Sequence, residues 1–313
     1  MSNLPKSYKA VVVRNANESF SLEDVDLKRP SDEEILVKVI ACGFCYTDFH
    51  AASGHMGDIF PRVPGHEIIG EVVGLGKNVK RFQLGERIGG AFHAGHDSSC
   101  RQCQRGNFQQ CDHQEINGVS RDGGLAEYVL LRAEAAIHVP KEIDPAEAAP
   151  LLCAGHLAVQ YARRMGYEVA VLSSGNDKAA FAKELGAHHY INTKSSDIAS
   201  ELAKLGGADL IVQTAPSPDA FGKLLDGLGP GGTLLTLAPV GKVEVNTDSL
   251  ILKGQKLQGW LTGGPLDAEE AIKFAVQQNV RCMVEKYQLH DVQQAVDSLL
   301  AGKPRFRNVL VME

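Results

Sequence analysis

The sequence predicts an α/β protein in two parts, a β-rich first half and a second half wound around a parallel sheet. Three observations carry this. Up to about residue 150 the apolar runs are short, alternate in twos and stop at Gly, Pro or Asp, as in YKAVVV, EEILVKVIA and HEIIGEVVGLG. From about residue 156 to 281 helix-like and strand-like segments alternate, which implies βαβ units. A length of 313 residues, at roughly 150 per domain, allows two domains.

In the second half HLAVQYARRMG reads as a helix, EVAVLSS as a strand, NDKAAFAKELG as a helix and HHYINT as a strand. SSDIASELAKLG and SPDAFGKLLDGLG continue as helices, with ADLIVQTA and GGTLLTLA as the strands that follow each of them. Gly166, Gly186 and Gly206 stand where a helix needs a left-handed cap. A last helix, HDVQQAVDSLLAGK, and a strand, RNVLVM, follow from about residue 282.

Thirty-two basic against 38 acidic side chains give a net charge of −6, and no basic stripe is interleaved with aromatics, so nucleic-acid binding has no support. The start MSNLPKSYKAVVV lacks the parts of a secretory signal, and no apolar run reaches the 18 or so residues of a membrane span. The expected address is the cytoplasm. There, seven cysteines read as metal ligands or reactive thiols before they read as disulfides. Cys45, His66 and Cys153 supply the three N or S donors of a catalytic zinc, with Thr47, Asp48, His50, Gly65 and Glu67 close by in sequence. Cys100, Cys103 and Cys111 form a second group, spaced C-x2-C-x7-C.

The segments ACGFCYTDFHAASG, FPRVPGHEIIGEVVGLGKNV, LGERIGG and GGLAEYV occur in the order of the signatures of the zinc-containing alcohol dehydrogenases of the medium-chain dehydrogenase/reductase family, which the chain resembles from about residue 8 onward. The resemblance implies a GroES-like catalytic domain over 1–155, a Rossmann-type cofactor domain over 156–281, and a segment over 282–313 that returns to the catalytic domain. It also implies that Cys45, His66 and Cys153 hold the catalytic zinc, that Glu67 and Asp48 orient or tune those ligands, and that Thr47 and His50 relay the alcohol proton. The cysteine group resembles three quarters of the family's structural zinc lobe. Asp97 takes the place of the first cysteine, and His96 or His93 is a substitute if the loop bends. A small alcohol or aldehyde is the implied substrate, a biosynthetic intermediate being equally compatible. A homodimer or homotetramer is the implied assembly.

The implied cofactor is NADP(H) or NAD(H), yet no G-x-G-x-x-G fingerprint is present: Gly74-Leu75-Gly76 has Val79 at the third position and precedes no helix. APLLCAG resembles the end of the catalytic segment and HLAVQYARRMG the first Rossmann helix, joined directly. This implies an internal deletion of roughly 25 residues after Gly155, the size of a βαβ building block, which removes the first strand and the glycine loop. Strands two and four must then pair directly or leave N–H and C=O groups unpaired, at about 1–3 kcal/mol each. The short connection is also expected to draw Cys153 away from the zinc. Ser173, Ser174 and Lys178 suit a 2′-phosphate better than a bare ribose, favouring NADP. Arg307 resembles the family's late arginine on the cofactor phosphates, and Tyr46 stands where a His or Arg often faces the pyrophosphate. The alternative reading is a catalytically impaired short isoform that binds zinc and associates with a partner.

Overall fold

The computed structural model describes residues 4–153, 157–215, 217–301 and 307–312. Contacts divide the chain into two units, residues 1–154 with 262–313, and residues 155–261.

The first unit is built on a seven-stranded sheet whose centre is the long strand Glu34–Phe44. Alternation buries Ile35, Val37 and Val39 on one face, and the whole length of the strand pairs antiparallel with Glu67–Leu75. Its other edge is shared. Tyr128–Arg132 pairs with the first part and Arg307–Val311 with the last, so the late strand reaches the early one. Arg87–Gly90 and Ala136–His138 extend the sheet on one side, and Val284–Gln288, parallel to Arg307–Val311, closes the other. Ile35, Ile68, Leu125 and Leu310 are fully buried in one core cluster. A second cluster joins Ile69, Ile137, Leu152, Ile272 and Val309.

Contacts group residues 262–281 with the first unit, whereas the sequence reading set its boundary at 281. The helix Pro265–Gln277 explains the difference. It sends Ile272 into the second cluster, and its Glu269 accepts a hydrogen bond from the His138 backbone at 2.8 Å and pairs with Arg81.

The second unit carries the expected alternation: helices Ala158–Arg164, Ala179–Glu184, Ile198–Lys204 and Pro218–Asp226, and strands Ala170–Ser173, His189–Asn192, Ala208–Gln213 and Leu228–Thr236. The helix Thr247–Leu252 and strand Lys256–Gly259 complete it, both beyond what periodicity revealed. All pairings are parallel, but they form two sheets. Ala170–Ser173 pairs with His189–Asn192, and Ala208–Gln213 pairs with Leu228–Thr236, which pairs with Lys256–Gly259. Of the two outcomes expected at a deletion, the structure therefore shows the second: strands two and four do not pair. Gly155 lies outside the described residues. No helix among them is long and apolar enough to cross a membrane.

Candidate metal centres

Three adjacent strands end at the same edge of the first sheet. Cys45 follows the strand Glu34–Phe44, Glu67 opens its partner opposite Gly43, and Arg307 opens the strand that reaches Phe44 through Asn308. Register thus brings together residues that are far apart in sequence. Cys153 arrives from another direction. Asp144 caps the short helix Pro145–Ala148 by accepting from Ala146 N and Glu147 N, and a 3-10 turn over Ala149–Leu152 buries Leu152 in the second core cluster. That anchor, one residue ahead of Cys153, fixes the thiol in the first unit despite the short connection that follows. Its Sγ is 3.8 Å from Cys45 Sγ and 3.3 Å from His66 Nε2.

Ligand atoms of Cys45, His66, Glu67 and Cys153 all lie within 4.8 Å of one another. Donors at zinc bond lengths of about 2.3 Å (S) and 2.05 Å (N) around a tetrahedron are about 3.5–3.8 Å apart, so this donor set fits zinc. The side chain that orients it is Asp48, at the third position of the helix Tyr46–Ala52. Asp48 accepts from Cys45 N (2.8 Å), Gly65 N (3.0 Å) and the His66 ring Nδ1 (3.0 Å). Because a carboxylate accepts, Nδ1 carries the proton and Nε2 keeps its lone pair for a metal. Phe92 holds the ring edge-on, centroids 5.5 Å apart.

Electrostatics sort the group further. A hydrogen bond from Cys153 holds the Cys45 thiol well below its ordinary pKa, against the cost of burial. Burial pushes Glu67 up to about 7, opposed by Arg307, whose Nη2 is 2.7 Å from Glu67 Oε1. The other oxygen, Oε2, is buried and has no hydrogen-bond partner, an orphan acceptor beside the thiols. A Cβ on Gly43 would collide with this carboxylate, so glycine is what leaves it room.

The resemblance gave Arg307 a cofactor phosphate. The structure places its buried guanidinium against Glu67. Burial lowers its pKa, but Glu67 and the neighbouring thiols outweigh that and hold it protonated. Thr47 and His50 lie on the same short helix, with Thr47 Oγ1 3.6 Å from Cys45 Sγ. The His50 ring meets Tyr46 at 4.8 Å and His55 at 5.1 Å, and no hydrogen bond among the described residues joins it to Thr47. His55, bonded to Ser53 Oγ at 2.8 Å, is a neighbour that the motif did not signal. Tyr46 is exposed, and Phe60 packs on the first core cluster.

The second group gathers Asp97, Cys100, Cys103 and Cys111, again within 4.8 Å. Asp97 Oδ1 accepts from Ser99 N (2.7 Å) and Cys100 N (2.9 Å), and Oδ2 pairs with His113 Nδ1 at 2.7 Å. These bonds hold the carboxyl well below its usual range, ready as an anionic donor. Cys111 Sγ accepts from the backbone of Asp97 and His113, at 3.4 and 3.3 Å. His93 and His96 bond to each other at 3.2 Å and stay outside the group, so neither takes the place of Asp97. His113 escaped the sequence reading because it acts only through Asp97.

In the second unit Ser173 ends a strand, Ser174 is exposed, and Lys178 precedes the helix Ala179–Glu184. The turn between carries Gly175, whose carbonyl accepts from Tyr190 Oη at 2.7 Å. Among the described residues no glycine-rich turn leads from a strand into the helix Ala158–Arg164.

Comparison with known proteins agrees with this geometry. The family model for the alcohol dehydrogenase GroES-like domain matches residues 31–141, and that for the zinc-binding dehydrogenases matches residues 153–277. Alcohol dehydrogenase patD of Penicillium expansum is 43% identical over an alignment covering 99% of each chain. The chain belongs to the zinc-type alcohol dehydrogenases of the medium-chain dehydrogenase/reductase family. It is a zinc-dependent alcohol oxidoreductase with a GroES-like and a Rossmann-like domain. The crystal structure of AibC superposes with a TM-score of 0.92 at 25% identity, over 98% of this chain and 96% of that one. A structure of CAD from Helicobacter pylori complexed with NADP(H) shares the fold, at a TM-score of 0.87 and 24% identity over 97% and 98% of the two chains. The patD alignment runs over 338 positions against 313 residues here, so at least 25 positions of this alcohol dehydrogenase relative have no counterpart.

Proposed function

We propose that the chain interconverts a small alcohol and its aldehyde or ketone by hydride transfer, at a zinc held by Cys45, His66 and Cys153, with NADP(H) preferred over NAD(H). The convergence of the Cys45, His66, Glu67 and Cys153 donor atoms within 4.8 Å carries this reading. A bound zinc supplies a Lewis acid that lowers the pKa of an alcohol or polarises a carbonyl, and a bound nicotinamide supplies the hydride partner. Around them the chain does the positioning. Asp48 fixes the His66 tautomer, the Arg307 charge offsets that of Glu67, and Thr47 Oγ1, beside Cys45 Sγ, accepts the alcohol proton, with His50 on the same helix as its outlet. Asp97, Cys100, Cys103 and Cys111 hold a second, structural zinc. Ser173, Ser174 and Lys178 favour the 2′-phosphate of NADP.

The test combines binding and turnover. Trp260 is the single tryptophan and reports on the second unit. Quenching by NADPH at lower concentration than by NADH, together with zinc-dependent aldehyde reduction, is expected. Absence of both at millimolar cofactor refutes the enzyme reading. Asp48→Asn is expected to weaken zinc binding by about 10- to 100-fold, measured by competition with a chromogenic chelator, because a neutral amide no longer fixes the ring as a carboxylate does.

We further propose a cytoplasmic homo-oligomer that uses the outer edge of the second unit. The strand Lys256–Gly259 is exposed along its length, and Ile251, Leu252 and Leu261 beside it are each more than 60% exposed, which supports an apolar contact there.

A further inference from the structure

The imidazole of His93 belongs to neither donor set, yet it is 1% exposed and bonded at both ring nitrogens. It stands in the strand His93–Gly95, whose antiparallel partner Glu115–Ile116 follows the cysteine lobe in sequence. These strands are three and two residues long, so their ladder supplies few bonds at the base of the lobe. His93 adds a side-chain tie to each end of the loop 97–113. Its Nε2 lies 3.2 Å from His96 Nδ1, just before the loop, and its Nδ1 lies 3.2 Å from Gln114 Nε2, just after it. An amide NH2 only donates, so Nδ1 accepts, Nε2 carries the ring proton, and that proton is donated to His96. Burial pushes His93 down to about 4, which keeps the ring in this neutral form. The support continues to two of the donors. Asp97 directly follows His96, and the His96 ring stacks on Phe108, centroids 4.3 Å apart, in the 3-10 turn that ends at Cys111.

We propose that His93 is a positioning residue for the metal of the lobe, a clasp that closes the loop 97–113 so that Asp97, Cys100, Cys103 and Cys111 face one another before an ion enters. The inference rests on the reading of this lobe as a zinc site. Gathering four donors from a free loop costs conformational entropy, and each tie made before binding reduces what the ion must offset. With both ties made, the four donor atoms lie within 4.8 Å of one another, the arrangement that such preorganisation requires. A neutral imidazole suits the place because it accepts at one nitrogen and donates at the other, whereas a phenyl ring of similar size does neither. Arg132 makes an outer tie across the same base, Nη1 to Glu115 Oε2 at 3.2 Å and Nη2 to the His96 carbonyl at 3.4 Å. The loop therefore keeps a path to its folded form when His93 is replaced, and the loss falls on the affinity for the ion.

The test measures zinc affinity of the full chain by competition with a chromogenic chelator. In a Cys45→Ser/Cys153→Ala background, where the lobe is the site left to fill, His93→Phe is expected to weaken zinc binding by about tenfold or more, the effect of losing two hydrogen bonds. Gln114→Leu removes one tie at a half-buried position and should cost less. Added to His93→Phe it should cost nothing further, because the bond it removes is already gone. In a Cys103→Ser background, which leaves the catalytic cluster to be read alone, His93→Phe should leave zinc affinity unchanged. Unchanged lobe affinity in His93→Phe would overturn the proposal, as would additive losses from the two substitutions or equal loosening of both metal sites, the mark of a general packing defect. A lobe that takes no zinc even with His93 present overturns the zinc reading of the lobe, and the clasp with it. If His93→Phe does not fold, Gln114→Leu decides alone, and wild-type affinity there counts against the clasp.

Discussion

Cys153→Ala is expected to strip the catalytic zinc from the chain, leave the zinc of the cysteine lobe in place, and lower turnover by about 1000-fold or more. The size follows from the chemistry: a Lewis acid contributes several kcal/mol of charge stabilisation, and each 1.36 kcal/mol is tenfold in rate. The site makes the experiment clean. Cys153 ends a turn whose anchor is Leu152, and its Sγ lies against Cys45 and His66 rather than in a core cluster, so removing the thiol leaves the core intact, and stability of the metal-free chain should change by less than about 1 kcal/mol. Zinc content by atomic emission and urea unfolding of the metal-free protein separate the two effects. His66→Ala would lose the metal as well but would also leave Asp48 and Phe92 without their partner, so a fall in activity there would mix causes. Full zinc content in Cys153→Ala would show that Glu67 completes the site without this thiol.

Gly65→Ala should be the costliest conservative change in the first unit, at about 3–5 kcal/mol in urea unfolding. Gly65 has φ +107°, a conformation that side chains rarely adopt, and an added Cβ would lie 2.7 Å from Leu125 N and 2.9 Å from Cys42 Sγ. Neither neighbour is free to withdraw. Leu125 is fully buried and its backbone N–H is already bonded to Pro64 O. The residue also donates its N–H to Asp48, so a shift of Gly65 would disturb the carboxylate that orients His66. A loss of zinc affinity should accompany the loss of stability. Wild-type stability in the variant would mean that the loop relaxes in a way that this packing does not suggest.

The two donor clusters were legible because they are local: Cys45, His66 and Glu67 stand at the ends of strands whose alternation is visible, and Asp97 and its three cysteines share one short loop. Arg307 gave no sign of its contact with Glu67, for the opposite reason. Its partner depends on which strand lies beside which, and no motif around residue 307 reveals that Arg307–Val311 borders Glu34–Phe44. The domain limits at 262–281 depended in the same way on Ile272 finding Ile137 and Val309. The missing glycine loop was visible as an absence, and it raised the choice between direct pairing and an open sheet. The choice itself was set by tertiary packing, in which Ala170 and Leu172 join the common core without bringing their strand to Ala208–Gln213. The strand Lys256–Gly259 escaped notice because an exposed edge of Lys, Leu, Gln and Gly carries no hydrophobic period.

The reach of the strand Arg307–Val311 back to Glu34–Phe44 also orders events during synthesis. A ribosome adds roughly 5–20 residues per second and domains tend to fold as they emerge, amino-terminal part first. Here the amino-terminal sheet stays open at one edge, and Glu67 waits without its arginine, until residues through 311 have been made. The intervening unit, 155–261, has by then been translated in full. The metal centre of the first unit is therefore among the last parts of the molecule to be finished, and an interrupted translation product would carry its cysteines with their neighbourhood incomplete.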